Sequence, residues 1–478
     1  MEQQNNSGKS WRLVLWGIVA VLLSAGAIAA WRLRDPSDHP PGQVPMMPIR
    51  AEALRKDVLA LAKLDPGTLV QLLEHDASVK RFAEQAAAGK SAPDQRAQAI
   101  VDALAARRTK NGFIEWSRVE PRIGGPLTAV ETLRAIEQDH AERQLYPLEI
   151  AALGVAALRS LEVPAMIAEV YAFGKELRPL DPSGRFGYFG IFVPNGSDAK
   201  QGRVYDAYAG RKEAPAATDF VVLNDAQAVG AALGLRAMHV LRNDLDLEGG
   251  ERDSIAALKL LPGSPSAHAV RAASLLTVGQ ASAKDPEIGK KELLEAQKLR
   301  DGAPQKNNLA LHALTRQDPL GALKELGDVL TTMPEYALAH VTRGTALLIR
   351  FDFAGSRAEL DEAAKWDPEL SFIPQIRAQL LAAEGKSDEA VIEARRAVQL
   401  NPQDAGSLFI LARIEVRLKL TEDARKHAAQ ILERTPAAAR EDRKKQVQSM
   451  LGQDLLEATP KSNAGAAGAG GGGGHASL

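Results

Sequence analysis

LAAEGKSDEAVIEARRAVQLNP, residues 381–402, is the stretch that decides how this chain folds. It ends on Pro402, and prolines recur 34 residues apart on either side of it, at Pro334, Pro368 and Pro436. A fixed period of this length marks stacked helix-turn-helix units, each burying its apolar face against the next. The residue before a proline avoids the helical region, so AAKWDP, AVQLNP and QILERTP each close a helix. With the proline at position 32, units begin at Ala303, Ala337, Ser371 and Ala405. Small residues then recur where two helices must touch. Position 8 holds Ala310, Gly344, Ala378 and Ala412; position 20 holds Ala322, Ser356, Ala390 and Ala424; position 27 holds Val329, Ala363, Ala397 and Ile431. That spacing lines small side chains along facing helical ridges. Pro374 falls in the first turn of a helix, where a missing N–H is harmless.

The preceding unit carries LIRFDFAGSRAELDEAAKWDP at residues 348–368. Together these segments resemble the tetratricopeptide repeat family. The resemblance implies an α-solenoid whose first helices line a groove for a protein partner. Mapped onto this chain, the groove positions fall on Asn307, Leu338, Val341, Phe372, Gln375, Gln379, Phe409, Arg413 and Arg417. Gln375/Gln379 and Arg413/Arg417 are four residues apart, so each pair shares a helix face. The same arginines also suit an ordinary solvated surface. Leu311 and Thr345 occupy two positions where some members place polar residues to clamp a terminal carboxylate, so that clamp is not expected. The array reads as residues 303–457 with a polar capping helix after Pro436, and residues 222–302 read as one or two degenerate repeats.

Upstream, residues 49–221 read differently. Helical patterns over AEALRKDVLALAKL and RAQAIVDALAARR precede a helix from about Pro147 to Leu161. Three strand-like stretches follow at 165–173, 187–193 and 203–208, separated by LDPSGRFG and PNGSDAKQG. Helices followed by an antiparallel sheet make an α+β layout. Thr128-Ala129 with Glu131-Thr132-Leu133, and ALRSLEVPA at 157–165, resemble the transglutaminase-like, papain-related superfamily, although Glu162 stands where that family prefers glycine. The resemblance implies a cysteine at a helix start, a histidine opening the second strand and an aspartate on the third. Those positions fall on Pro147, roughly Phe186, and Asp206. The chain has no cysteine, and no histidine occurs between His140 and His239. A thiolate mechanism needs both groups, so a pseudoenzyme with no catalytic residues is expected. Asp206 suits a turn or strand end as well as a catalytic relic. LDPSGRFGYFG is a turn signal that could also line a cleft.

At the N-terminus, LVLWGIVAVLLSAGAIAA at residues 13–30 carries no charge, with Trp11, Trp16 and Trp31 about it. It reads as a single-pass anchor with the bulk of the chain outside the cytoplasm, periplasmic in a bacterium. The alternative is a signal peptide cleaved after AIA, which would leave the protein secreted. Residues 31–48 form a proline-rich spacer, and residues 458–478 are too glycine-rich to bury a core.

Charge is balanced, 59 basic against 60 acidic residues. No basic run marks a nucleic-acid partner. The histidines show no metal-ligand pair, no phosphate-cradling glycine loop appears, and no G-x-S-x-G elbow is present. Neither metal nor cofactor is expected. The fold class is mainly α: a membrane helix, an α+β domain and a C-terminal solenoid. Two functions fit. One is a membrane-anchored interaction scaffold; the other is a ligand- or glycan-binding sensor using the vacant cleft of the α+β domain.

Overall fold

The computed structural model describes residues 72–111, 126–137, 145–174, 179–195, 198–241, 247–276, 286–402, 404–435 and 440–451. The first four helices are α1 (Ala77–Ala86), α2 (Pro93–Asn111), α3 (Ala129–Glu137) and α4 (Pro147–Ser160). Helix α4 is the hub. Proline fits its first turn, and all residues from Pro147 to Leu158 are buried. The buried Glu149 carboxylate accepts from Tyr146 N (2.8 Å) and Leu127 N (2.6 Å), tying the start of α4 to the segment before α3.

Strands β1 (Met166–Val170), β2 (Phe189–Asn195), β3 (Asp198–Tyr205) and β4 (Phe220–Leu223) make one antiparallel sheet in the order β3-β2-β1-β4. Three strands were readable beforehand; β4 was not. It is four residues long and buries only Leu223, too short for alternation to show. It also continues past residue 221, pairing Ile167 with Leu223. The next helix, α5 (Asp225–His239), shares the sheet's core through Ala228, Ala232 and Leu235. Arg159 on α4 grips Asp225 with two bonds of 2.9 and 2.8 Å and donates Nε to Ala165 O. Just after α4, Glu162 adopts φ +60°, a left-handed conformation that glycine takes without strain.

Helix α5 packs on α6 (Leu247–Leu260), and α7 (Pro265–Leu276) on α8 (Pro286–Leu299). Four regular pairs follow: α9 (Ala303–Thr315) with α10 (Pro319–Thr332), α11 (Ala337–Ile349) with α12 (Phe353–Trp366), α13 (Phe372–Ala383) with α14 (Ser387–Leu400), and α15 (Ala405–Arg417) with α16 (Thr421–Arg434). The second helices start at 319, 353, 387 and 421, each 34 residues after the last. Ala310, Ala378, Ala412, Ala322, Ser356, Ala390, Ala424, Ala363 and Ile431 are all fully buried, so the small-residue positions are the helix contacts. A last helix, α17 (Arg440–Leu451), packs on α15 and α16 and buries Val447 against them, covering the end of the stack.

Each pair turns through one left-handed residue: Gln317 (φ +59°), Phe351 (+61°), Gly385 (+82°) and Lys419 (+60°), again at a spacing of 34. The residue after each donates to the carbonyl five back (Asp318 to Ala313, Asp352 to Leu347, Lys386 to Leu381, Leu420 to Glu415), the bond that closes a Schellman turn. Asp318 and Asp352 then cap the second helix, accepting from Gly321 N and Gly355 N.

One expectation is corrected. The apolar stretch at residues 13–30 lies outside the described residues, as do the spacer and the C-terminal tail. Among the described residues no helix is long and apolar enough to cross a membrane. Placement of the protein as a single-pass membrane protein is therefore withdrawn, and with it the membrane as a partner.

Candidate functional site

Within the repeats, the first helix of each pair touches the first helix of the next: α9 meets α11, α11 meets α13, and α13 meets α15. The second helices are spread further apart. The stack therefore curves toward the row of first helices, which forms its inner side.

Of the expected groove residues, Asn307, Gln375, Gln379 and Phe409 are buried, at 3, 1, 1 and 6 % exposure. Phe372 is half-buried, Arg413 is half-buried and Arg417 is exposed. Their polar atoms are unevenly satisfied. Gln375 donates Nε2 to Asp404 Oδ2 (3.2 Å), but its Oε1 has no partner among the described residues. Asp404 is busy besides, capping α15 through Ser407 N and Oγ at 2.8 and 2.7 Å. Neither amide atom of Gln379 has a partner among the described residues, nor has Asn307 Oδ1. A buried polar group left unpaired costs about 1–3 kcal/mol. Arg417 spends one N–H on Ala382 O (3.3 Å), the last turn of α13. Arg413 has no acceptor among the described residues, and burial, then the neighbouring charge of Arg417, pushes its guanidinium down to about 10. The row thus offers amides and a guanidinium that the chain itself leaves unpaired, with Phe372 and Phe409 beside them. Nearby, both ring nitrogens of His312 are unpaired, and burial with Arg316 holds its pKa down to about 4, so the ring is neutral.

The positions tied to the α+β domain fall into two groups of contacts. Pro147 opens α4, and the ring of its neighbour Tyr146 lies 6.0 Å from that of Phe186. Asp206 is fully buried and saturated: it accepts from Tyr188 Oη (2.8 Å), Tyr208 N (3.0 Å), Ala209 N (2.8 Å) and Arg211 Nη1 (3.0 Å). The side chains facing Asp206 are therefore Arg211 and Tyr188, the latter two residues on from Phe186. Burial, reinforced by Asp206, holds the Tyr188 phenol well above its usual range. Asp206 organises the turn after β3, and its carboxylate has no capacity left for a base. Segment 180–190 makes the turn expected of it. Asp181 takes Ser183 N, Phe186 N and Gly187 N at 3.0, 2.8 and 2.8 Å, making the turn. The same loop then docks on the repeats, where Arg185 Nε donates to Asn308 Oδ1, Asn308 Nδ2 to Ser183 O, and Tyr336 Oη to Pro182 O. Gly184 (φ +63°) faces Pro304 so closely that an added Cβ would stand 2.8 Å from that ring's Cβ. The sequence carried no signal for this docking, because the residues that meet are more than a hundred apart. Among the described residues no cluster of His, Asp and Glu could hold a metal ion.

No protein-family model matches the chain, and no curated protein matches it. Solved structures do. One is a thermophilic TPR protein from Thermus thermophilus, 17% identical, covering 35% of this chain and 90% of its own, with a TM-score of 0.32. Another is PilW, a widely conserved type IV pilus biogenesis factor, 19% identical over 47% of this chain and 98% of its own, TM-score 0.32. A third is Pseudomonas aeruginosa PilF, 19% identical over 41% and 88%, TM-score 0.28. Superposition this partial carries no argument, and the helical solenoid rests on the 34-residue pairs themselves.

Proposed function

We propose that the chain is a protein–protein interaction scaffold whose inner row of helices holds an extended segment of a protein partner. The observation that carries the reading is Arg413, half-buried with no acceptor among the described residues, on the same row as Gln379, whose buried amide also has no partner among them. A peptide backbone supplies both a donor and an acceptor for the amide, and an acidic side chain supplies the counter-charge for the guanidinium. Phe372 and Phe409 give apolar contact beside them. The test is affinity capture of partners with the wild-type chain, with Gln379→Ala plus Arg413→Ala, and with Ile392→Ala on the outer side, where Ile392 is 66 % exposed. Loss of a captured protein in the inner variant alone supports the groove. Equal recovery by all three chains contradicts it.

The α+β domain is read as transglutaminase-like in layout and non-catalytic. What supports this is that Pro147 opens α4 and the buried Asp206 is taken up by Tyr188 and Arg211, where the resemblance expects a nucleophile and an acid that orients a base. A phenol held protonated on a saturated carboxylate cannot take a proton from a nucleophile. Measurable turnover of a glutamine amide by the purified chain would overturn that reading.

A further inference from the structure

Away from the groove, a cavity of about 250 Å³ lies where the sheet meets the repeats. It is smaller than the pockets of drug-sized ligands, which run to about 300–1,000 Å³. The end of β1, the loop before β2, the start of α7 and the turn into α9 line it. Its apolar lining includes Val170, Leu180, Pro304 and Met333.

Three polar groups decide what it would accept. Glu169 is 2 % exposed. Its Oε1 accepts from Ser264 Oγ (2.9 Å) and Ser266 Oγ (2.8 Å), while Oε2 has only Tyr171 Oη at 3.4 Å. No cation pairs with this carboxylate among the described residues. Gln305, 8 % exposed, borders the same cavity and has no hydrogen-bond partner among the described residues. Arg300 lies over the Tyr171 ring at 5.1 Å, but its charge is already met by Asp219 at 2.8 Å. Two other carboxylates line it: Asp181 is occupied by the N–H groups of its own loop, and the exposed Asp301 accepts from Gln297 Nε2 (3.1 Å) and lies 4.0 Å from Lys306 Nζ. Among the described residues, what remains buried and short of partners is the Glu169 oxygen that has only the long Tyr171 bond, with the Gln305 amide beside the same apolar wall.

We propose that this cavity is a binding site for a small organic ammonium cation, with Glu169 as counter-ion, Gln305 as second hydrogen-bond partner and the apolar wall around its carbon body. An ammonium group presents several donors and no acceptor, which matches the open Glu169 and Gln305 oxygens. Burial otherwise pushes the Glu169 carboxyl above its usual range, so a cation is the partner that lets it ionise.

The test is isothermal titration of the full chain at pH 7 with n-pentylamine and 1,5-diaminopentane, and with 1-pentanol and pentanoate as uncharged and anionic counterparts. One saturable site for an amine, weakened at least tenfold in Glu169→Gln and measurably in Gln305→Ala, is expected. Glu169→Gln keeps the shape of the side chain; if it fails to fold, Gln305→Ala decides, because Gln305 makes no bond that folding would lose. Absence of amine binding, equal binding of pentanol, or unchanged amine affinity in the folded variants would overturn the site.

Discussion

The left-handed turn residues give two substitutions with opposite signs at the same position of neighbouring repeats. Gly385 and Lys419 both close a Schellman turn, at φ +82° and +60°. An L-residue there costs about 1–2 kcal/mol from the clash of Cβ with the following carbonyl. Glycine avoids that clash but makes the unfolded chain floppier, a loss of about 0.5–1 kcal/mol. At Gly385 an added Cβ meets nothing within 4 Å, so no packing term enters. Gly385→Ala should then destabilise the array by roughly 0.5–1 kcal/mol, and Lys419→Gly should stabilise it by roughly 0.5–1 kcal/mol. Urea unfolding followed by far-ultraviolet circular dichroism reads both. Long repeat arrays can unfold in parts, so the signs of the two midpoint shifts are the readout. Gly385→Ala without loss, or Lys419→Gly with loss, would refute the argument that backbone conformation sets these turns.

Ala412→Phe should cost about 1–3 kcal/mol through overpacking, since Ala412 is fully buried between helices; an unchanged thermal melt would contradict the helix contact. Asp253 is 1 % exposed and holds Arg236 through bonds of 2.6 and 2.8 Å. Asp253→Ala strands that guanidinium between α5 and α6 and should cost about 3–5 kcal/mol, checked by the same melt. His340 lends a pH dependence. Burial opposes its charge, but Glu359 at 2.7 Å and Pro334 O outweigh that and raise its pKa above 6.5. A raised folded pKa gives stability that is complete below the ordinary value and lost as pH rises through the raised one. His312, held down to about 4, acts in the opposite direction over the same range, so the readout is the difference: the gap in urea midpoint between the wild type and His340→Gln should shrink from pH 6 toward pH 8.

The proline period and the small residues made the solenoid legible because each helix pair repeats the same local problem: one crowded contact at positions 8, 20 and 27. The turns between helices were hidden, since three of the four left-handed positions carry Gln317, Phe351 and Lys419, which advertise no positive φ. The strands showed as apolar stretches set apart by Gly, Pro and Asn clusters, but β4 is only four residues long and falls against α5, where no composition shift marks the passage. The proposed groove residues could be named from position within the repeat. Their unpaired state could not, because whether Gln379 finds a partner depends on side chains from neighbouring helices. Glu169 was invisible for the same reason: its serines lie 95 and 97 residues away.

The central claim is that a protein segment lies along the inner row of helices. Photo-crosslinking tests it most directly, with benzoylphenylalanine placed at Phe372 on the inner row and, separately, at Ile392 on the outer side. The account predicts a covalent adduct with a partner protein from Phe372, abolished by Gln379→Ala plus Arg413→Ala, and none from Ile392. Adducts from Ile392 alone would contradict it.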